Sequence, residues 1–318
     1  MVPAVIIFVL AGGAVWLLYS TANSLFEYGV HMRTTIAPDP PEAPLNEVPE
    51  RYMDSAYHLE ALQWMQEQRR EDVEISTHDG LSLRGYLISN DRSKDAAIAA
   101  PGWTDRKENL FAEAKLLYDC GLNVLVFDQR AHGASEGEYA SFGFFESQDL
   151  SRWVTFLKNR GFERIALYGH SMGAATVMMA AGSMPEGLVS CAIEDCGFTS
   201  MRDAVSSFVR GRVRWLPPFT YPLLLRFAVP IIKKNAGYSV DDASPIDRMP
   251  FCTVPMLFIH GTEDSFVPYD MMPDLYEAHP GPKERLDVEG AGHIMSLSTD
   301  NAAYVSKVQT FINKYITQ

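Results

Sequence analysis

Basic residues are scarce in this chain of 318: 27 Lys plus Arg stand against 40 Asp plus Glu, a formal net charge of −13. A polyanionic partner is repelled on average by such a balance, so nucleic-acid binding is excluded as a first reading. Cysteine is equally sparse. Cys120, Cys191, Cys196 and Cys252 form no CxxC pair and join no histidine cluster. That predicts buried free thiols and no metal site. A Cys191–Cys196 disulfide along one strand would have to span about 16 Å, beyond bridging distance. The chain has no P-loop, no dinucleotide fingerprint and no internal repeat, so no cofactor is expected.

Charge of either sign is missing from the first twenty residues, and the first charged side chain is Glu27. Val2 to Tyr19 is an apolar run broken only by Pro3 and Gly12-Gly13, close to the ~20 residues a helix needs to cross a bilayer core. A membrane anchor over residues 1–24 is expected. Two other readings stay open: a cleaved signal peptide, with Ala22 and Ser24 as small cleavage-site residues, and a buried core helix. The lack of any Lys or Arg before the run argues against the signal peptide. An acidic flank beyond the run points to a single-pass protein of the cell membrane with its globular domain outside, although Arg33 and Arg51 give the positive-inside rule little to act on. Five prolines between Pro38 and Pro49 alternate with acids. They predict an extended spacer within a 25–71 segment that also holds a leading helix.

From residue 72 to 318 short apolar runs alternate with helical patterns. Asp72–Ser76 and Leu81–Ser89 flank the turn His78-Asp79-Gly80, a hairpin. Strands apolar on both faces follow at Ala96–Ala100, Asn123–Phe127, Ile165–Tyr168, Val189–Ile193 and Met256–Ile259. Helical patterns cover Glu108–Tyr118, Phe145–Asn159, Met172–Met184 and Asp270–Ala278. This alternation predicts an α/β fold with a mostly parallel sheet covered on both faces and its site at the strand C-terminal ends. Residues 198–250 interrupt the pattern and read as a helical insertion acting as a lid. Between Phe198 and Tyr238 seven basic residues face one acid, Asp203, a net +6 that leaves −19 for the rest of the chain. A basic, apolar segment fits an anionic membrane surface; a solvated face paired with acids of the main domain fits equally.

Directly after the strand Ile165–Tyr168 stands Gly169-His170-Ser171-Met172-Gly173, followed by a small-residue helix. A strand turning sharply into a helix is what G-x-S-x-G needs, since its glycines let the turn close while Ser171 projects at the helix N-terminus. A serine hydroxyl requires a base and an acid to orient that base. His293, flanked by glycines after the last strand, is the expected base. Asp264, after the strand Met256–Ile259, is the expected acid, with Asp195 at the end of the preceding strand as the alternative. The chain order Ser171, Asp264, His293 follows.

With these residues the region from about 72 to 318 resembles bacterial α/β-hydrolases of the serine-esterase and prolyl-oligopeptidase-like group. Phe127-Asp128-Gln129-Arg130-Ala131-His132-Gly133-Ala134-Ser135 is similar to the family's D-x-R-x-x-G-x-S segment. The resemblance makes Arg130 and Gly133 structural and sets Ser135 at the site's edge. It also implies that the backbone N–H groups of Trp103 and Met172 form the oxyanion hole, with Pro101-Gly102 in place of the family's His-Gly pair. The implied activity is a serine hydrolase that cleaves carboxylic esters with acyl or lipid-like groups through an acyl-enzyme. A serine peptidase of prolyl-oligopeptidase-like type is the alternative, weakened because the chain has no room for a large propeller, and an acyltransferase or thioesterase would use the same triad. From another class, a non-catalytic binding protein on this scaffold would require a lost triad position. Expected partners are a small-molecule ester or acyl substrate, and a membrane reached through the N-terminal helix and the basic lid.

Overall fold

The computed structural model describes residues 2–32, 55–91, 93–212 and 220–317; within them, the side chains of 2–12, 14–15, 211–212, 220–221 and 317 are left aside. The predicted Pro38–Pro49 spacer, most side chains of the predicted anchor, and Trp215-Leu216-Pro217-Pro218 of the insertion lie outside the described residues. Eight strands form one sheet in the order β1-β2-β4-β3-β5-β6-β7-β8. β1 (Arg70–Ser76) and β2 (Ser82–Ile88) make the hairpin, with Gly80 at φ +89° supplying the left-handed turn residue. β2 runs antiparallel to β4 (Asn123–Phe127); β3 (Ala96–Ala100), β4, β5 (Ile165–His170), β6 (Cys191–Asp195), β7 (Met256–Gly261) and β8 (Lys283–Val288) are mutually parallel. The expected fold class is therefore observed.

Successive strand residues point to opposite faces, so fully apolar strands feed two cores. Ala97, Ala99, Val124 and Tyr168 pack with the helix Ala56–Glu67, the helix Phe111–Asp119 and the C-terminal helix Asn301–Ile312. Ala96, Ile98, Leu125 and Leu167 pack with the helices Phe144–Asn159, Met172–Ala181 and Met271–Ala278. In chain order, with α1 reserved for the first helix (Val2–Gly29), these are α2 (56–67), α3 (111–119), α4 (144–159) and α5 (172–181). Between β6 and β7 the insertion carries α6 (Met201–Arg212) and α7 (Thr220–Ala236); α8 (271–278) and α9 (301–312) follow, and one-turn helices lie at Pro245–Arg248 and Ser296–Thr299. β8 has no apolar run because it is an edge strand whose Lys283, Glu284, Arg285 and Asp287 meet solvent, the usual protection of an edge. α9 shows its apolar stripe only as Tyr304, Val308, Phe311 and Ile312, and Asp300 caps it by accepting from the Ala303 N–H.

The N-terminal segment departs from its expected boundary. α1 does not give way to a linker at residue 25. It continues to Gly29 and lies on α7, burying Ala22, Phe26 and Val30 against Ala228, Ile231 and Ile232. Beyond it Met32 N–H donates to Glu138 O at 2.8 Å and Ala140 N–H to Val30 O at 2.9 Å, tying the chain to the loop ahead of α4. Among the residues whose side chains are described no helix is long and apolar enough to cross a membrane, and most of the Val2–Tyr19 run lies outside them.

The loop after β4 is an ionic hub. Arg130, only 4% exposed, donates to Asp149 of α4 at 2.7 and 2.9 Å and to Asp79 of the hairpin turn at 3.1 Å. Asp128 accepts from Lys107 Nζ at 2.7 Å and from Ala134 N–H at 3.0 Å; at Gly133, φ +47°, a Cβ would overlap its carboxylate. Ser135, which the resemblance set at the site's edge, donates its hydroxyl to Asp128 O and accepts from Arg84 N–H, stitching the loop to β2. Deleting one partner of a buried pair strands the other charge. Arg130→Ala is therefore expected to lose about 3–5 kcal/mol in urea unfolding, and Arg130→Lys, which lacks the two-pronged donor, to recover only part of it.

Candidate active site

β5 ends at His170, α5 begins at Met172, and Ser171 stands between them at φ 54°, ψ −118°. Such a conformation costs a non-glycine residue about 1–3 kcal/mol, and the surroundings enforce it. A Cβ on Gly169 would overlap the Gly173 carbonyl, and one on Gly173 would overlap the carbonyl of Ala100 on β3, so both glycines allow the backbones to touch. Ser171 N–H donates to Asp195 O at 2.8 Å, fastening the turn to the end of β6. His170 does not fold onto Ser171; its Nε2 meets Asp105 at 3.0 Å and holds the Pro101-Gly102 loop against the turn.

Three residues from separate strand-end loops converge. His293 Nε2 lies 2.9 Å from Ser171 Oγ, and its Nδ1 lies 2.7 Å from Asp264 Oδ2. The other oxygen of Asp264 accepts the N–H groups of Phe266 and Val267, both at 2.9 Å. Burial raises the Asp264 pKa, but hydrogen bonds from His260 and His293 outweigh it and bring the carboxyl to about 2, so it is ionised throughout the working range. His260, wholly buried, donates to Val267 O at 3.0 Å with its Nε2 3.4 Å from Asp264 Oδ2, and so supports the acid from behind. The alternative acid, Asp195, is engaged elsewhere. Tyr304 donates to it at 2.8 Å, the Ser296 hydroxyl lies 3.4 Å away, and burial raises its pKa. Of the two candidate acids, Asp264 is the one that reaches the imidazole.

The predicted oxyanion donors flank this constellation. Met172 is the first residue of α5, where a helix leaves its N–H groups without intrahelical partners. Trp103 lines the same cavity as Ser171 and Met172. Its indole Nε1 donates to Gly29 O of α1 at 3.0 Å, a role the sequence does not announce. Among the described residues one trio of potential metal ligands converges, Cys196, Asp264 and His293, within 4.8 Å of one another. Two of these already bond to each other, and burial pushes the Cys196 thiol far up, which keeps it protonated and a poor ligand. All four cysteines are unpaired thiols.

Sequence reasoning missed several contributors. Phe266 stacks near the His293 ring at 4.8 Å between centroids, and its place two residues after Asp264 was the available signal. Tyr304 lay in the unassigned C-terminal helix. Leu25, Tyr28 and Gly29 of α1 line the cavity over Ser171; the spacing Ala22, Phe26, Val30 just beyond the apolar run is the periodicity that marks a packed face.

A mostly parallel sheet with a serine on a strained strand-to-helix turn, met by a histidine and an acid from later strand ends, defines the α/β-hydrolase class. The chain belongs to the alpha/beta hydrolase family, whose model matches residues 97–307. It is 33% identical over 236 residues to protein YqkD of Bacillus subtilis, covering 74% of this chain and 76% of that one. It is 39% identical over 121 residues to thiohydrolase apmlB of Arthrinium phaeospermum, 36% of this chain and 39% of that one. Among solved structures the esterase Pf2001 of Pyrococcus furiosus superposes with a TM-score of 0.62 at 25% identity, over 78% of this chain and 94% of that one.

Asp264→Asn keeps the shape and removes the charge, so turnover is expected to fall by about 10⁴-fold, whereas Asp195→Asn should stay within about tenfold of wild type; kcat for each against one substrate decides between the acids. Glu194, buried beside this cluster, has its pKa raised to about 8 by burial. Between the ordinary carboxyl value and about 8 the unfolded chain is ionised there while the folded chain keeps the proton, so stability falls as pH rises through that window. Glu194→Gln removes this contribution. Its unfolding free energy, from urea titrations across that range, is expected to gain on wild type between pH 5 and pH 8, by up to about 1.4 kcal/mol per pH unit.

Proposed function

We propose that this protein is a serine hydrolase that cleaves carboxylic esters of acyl or lipid-like groups. One observation carries the reading: Ser171 Oγ lies 2.9 Å from an imidazole whose other nitrogen is 2.7 Å from an ionised carboxylate. His293 takes the Ser171 proton as Oγ attacks the ester carbonyl carbon, and Asp264 holds the imidazolium that forms. The N–H groups of Trp103 and Met172 receive the carbonyl oxygen as it becomes an oxyanion. Collapse breaks the bond to the alkoxide, which leaves with the proton from His293, and an acyl-enzyme remains. Water, deprotonated by His293, attacks that acyl carbon and returns Ser171 with release of the acid. The apolar walls around Ser171 favour an apolar acyl group over a charged peptide.

Similarity of part of the chain to a thiohydrolase supports a second reading, in which the acyl group arrives as a thioester and the same steps release a thiol. We also propose that the apolar run Val2–Tyr19 holds the enzyme at the cell membrane as a single pass with its catalytic domain outside, the basic insertion resting on anionic lipid; Trp16, Leu17 and Tyr19 are large apolar residues exposed on α1.

A fluorophosphonate probe is expected to label the wild type and not Ser171→Ala; a wild type that stays unlabelled, or a variant that labels equally, overturns the hydrolase reading. Paired oxygen-ester and thioester substrates of one acyl group then decide the leaving group. For the membrane, a chain lacking residues 1–18 keeps the packed half of α1, and it should lose flotation with neutral liposomes; equal flotation of both chains would sink the anchor.

A further inference from the structure

Two cavities adjoin under the insertion. The first, about 80 Å³, opens on Ser171 between Trp103, Phe198, Phe208 and Phe266. The second, about 60 Å³, lies further from the serine among Met201, Leu224, Leu225, Ala228 and Ile232. Both are lined by Leu25, Gly29, Phe142, Val205 and Val209, so these five form the neck between them. Two of the five come from α1.

Among the described residues the far cavity offers a ligand nothing polar to bind. The only polar side chain they contribute is Ser206, whose hydroxyl is already donated to Arg202 O at 2.7 Å. An empty space lined in this way suits a hydrocarbon and penalises a hydroxyl, an amide or a charge. Its size matters too. A cavity of about 150 Å³ holds one benzene ring, so the two cavities, about 80 and 60 Å³, together hold a chain of about six methylene-sized groups.

α1 is a fixed wall here. Gly29 O accepts the Trp103 indole at 3.0 Å, and the backbone bonds of Val30 and Met32 pin the helix end to the 138–140 loop. At Gly29 the chain is helical, and a Cβ placed there meets no atom within 4 Å. The neck is open at Gly29 because glycine has no side chain.

The geometry points to an acyl-chain channel with the N-terminal helix as its wall and Gly29 as its gate: an ester's carbonyl sits at Ser171 and an unbranched acyl chain of about six to eight carbons passes Gly29 into the far cavity. This inference rests on the ester-hydrolase reading and names the substrate class. The helix read from sequence as an anchor is thereby also the specificity element of the site.

Nitrophenyl esters from butyrate to hexadecanoate, kept below their micelle concentrations, supply the test. For wild type, kcat/KM is expected to rise roughly fourfold per added methylene to about octanoate and then level off as the channel fills. Butyrate fits in the first cavity, whereas octanoate needs both. Gly29→Leu should therefore lower the octanoate-to-butyrate ratio of kcat/KM at least about tenfold, as should Ala228→Phe, which fills the far cavity from α7 and serves if Gly29→Leu does not fold. If Ser171 labels with fluorophosphonate and butyrate is cleaved but the ratio is unmoved in both variants, the channel is overturned and the hydrolase reading stands. If Ser171 does not label and no ester is cleaved, both fall.

Discussion

The site depends on a backbone conformation that an L-residue resists. Ser171 occupies φ 54°, ψ −118° because three backbones are pressed together there: β5 at Gly169, α5 at Gly173, and β3 at Ala100. The cost is local, about 1–3 kcal/mol, and a sheet with two buried faces offsets it many times over. The Ser171 N–H to Asp195 O bond anchors the same turn from the other neighbour strand. The hydroxyl of the serine so placed meets His293 of the loop that follows β8.

Around that turn the structure sorts its buried charges. Asp264 stays ionised because four donors surround it: two backbone N–H groups, His293, and His260 behind. Asp195 and Glu194, one and two residues before Cys196, are pushed the opposite way by burial. Neighbouring carboxyls with divergent environments are the means by which one site keeps a single anion beside its imidazole. The ionic hub of Arg130, Asp149 and Asp79 lies elsewhere and serves the frame, joining the hairpin turn and α4 to the loop after β4.

α1 changes what the net charge means at the site. A chain at −13 surrounds an apolar cavity walled partly by a helix that carries no charge before Glu27. Arg202 of the basic insertion pairs with Asp241 at 2.6 Å, a few residues past the segment in which only Asp203 was counted as acidic, so part of that basic charge is locally matched. The apolar content of the first thirty residues is thus divided between a packed half, with Ala22, Phe26 and Val30 buried, and a half on which Trp16, Leu17 and Tyr19 are exposed.

The sequence by itself determined the elements whose signals are local. Strands apolar on both faces announced the parallel sheet, and G-x-S-x-G between a strand and a small-residue helix announced Ser171, because strand burial and turn closure are governed by residues within a few positions of each other. Ser171 and Asp264 were legible for the same reason, each standing just after a readable strand, and His293 by the glycines, Gly290 and Gly292, that precede it. The edge strand Lys283–Val288 was not, since solvent on one side removes the apolar run. The choice between Asp264 and Asp195 was decided only by tertiary structure. Both end a strand, and what separates them is Tyr304 and Ser296, 109 and 101 residues beyond Asp195, which occupy its oxygens. The place of Gly29 was decided in the same way: an apolar helix reads alike whether lipid or protein covers it, and only the packing of α1 on α7 and Trp103 shows which face the fold has used.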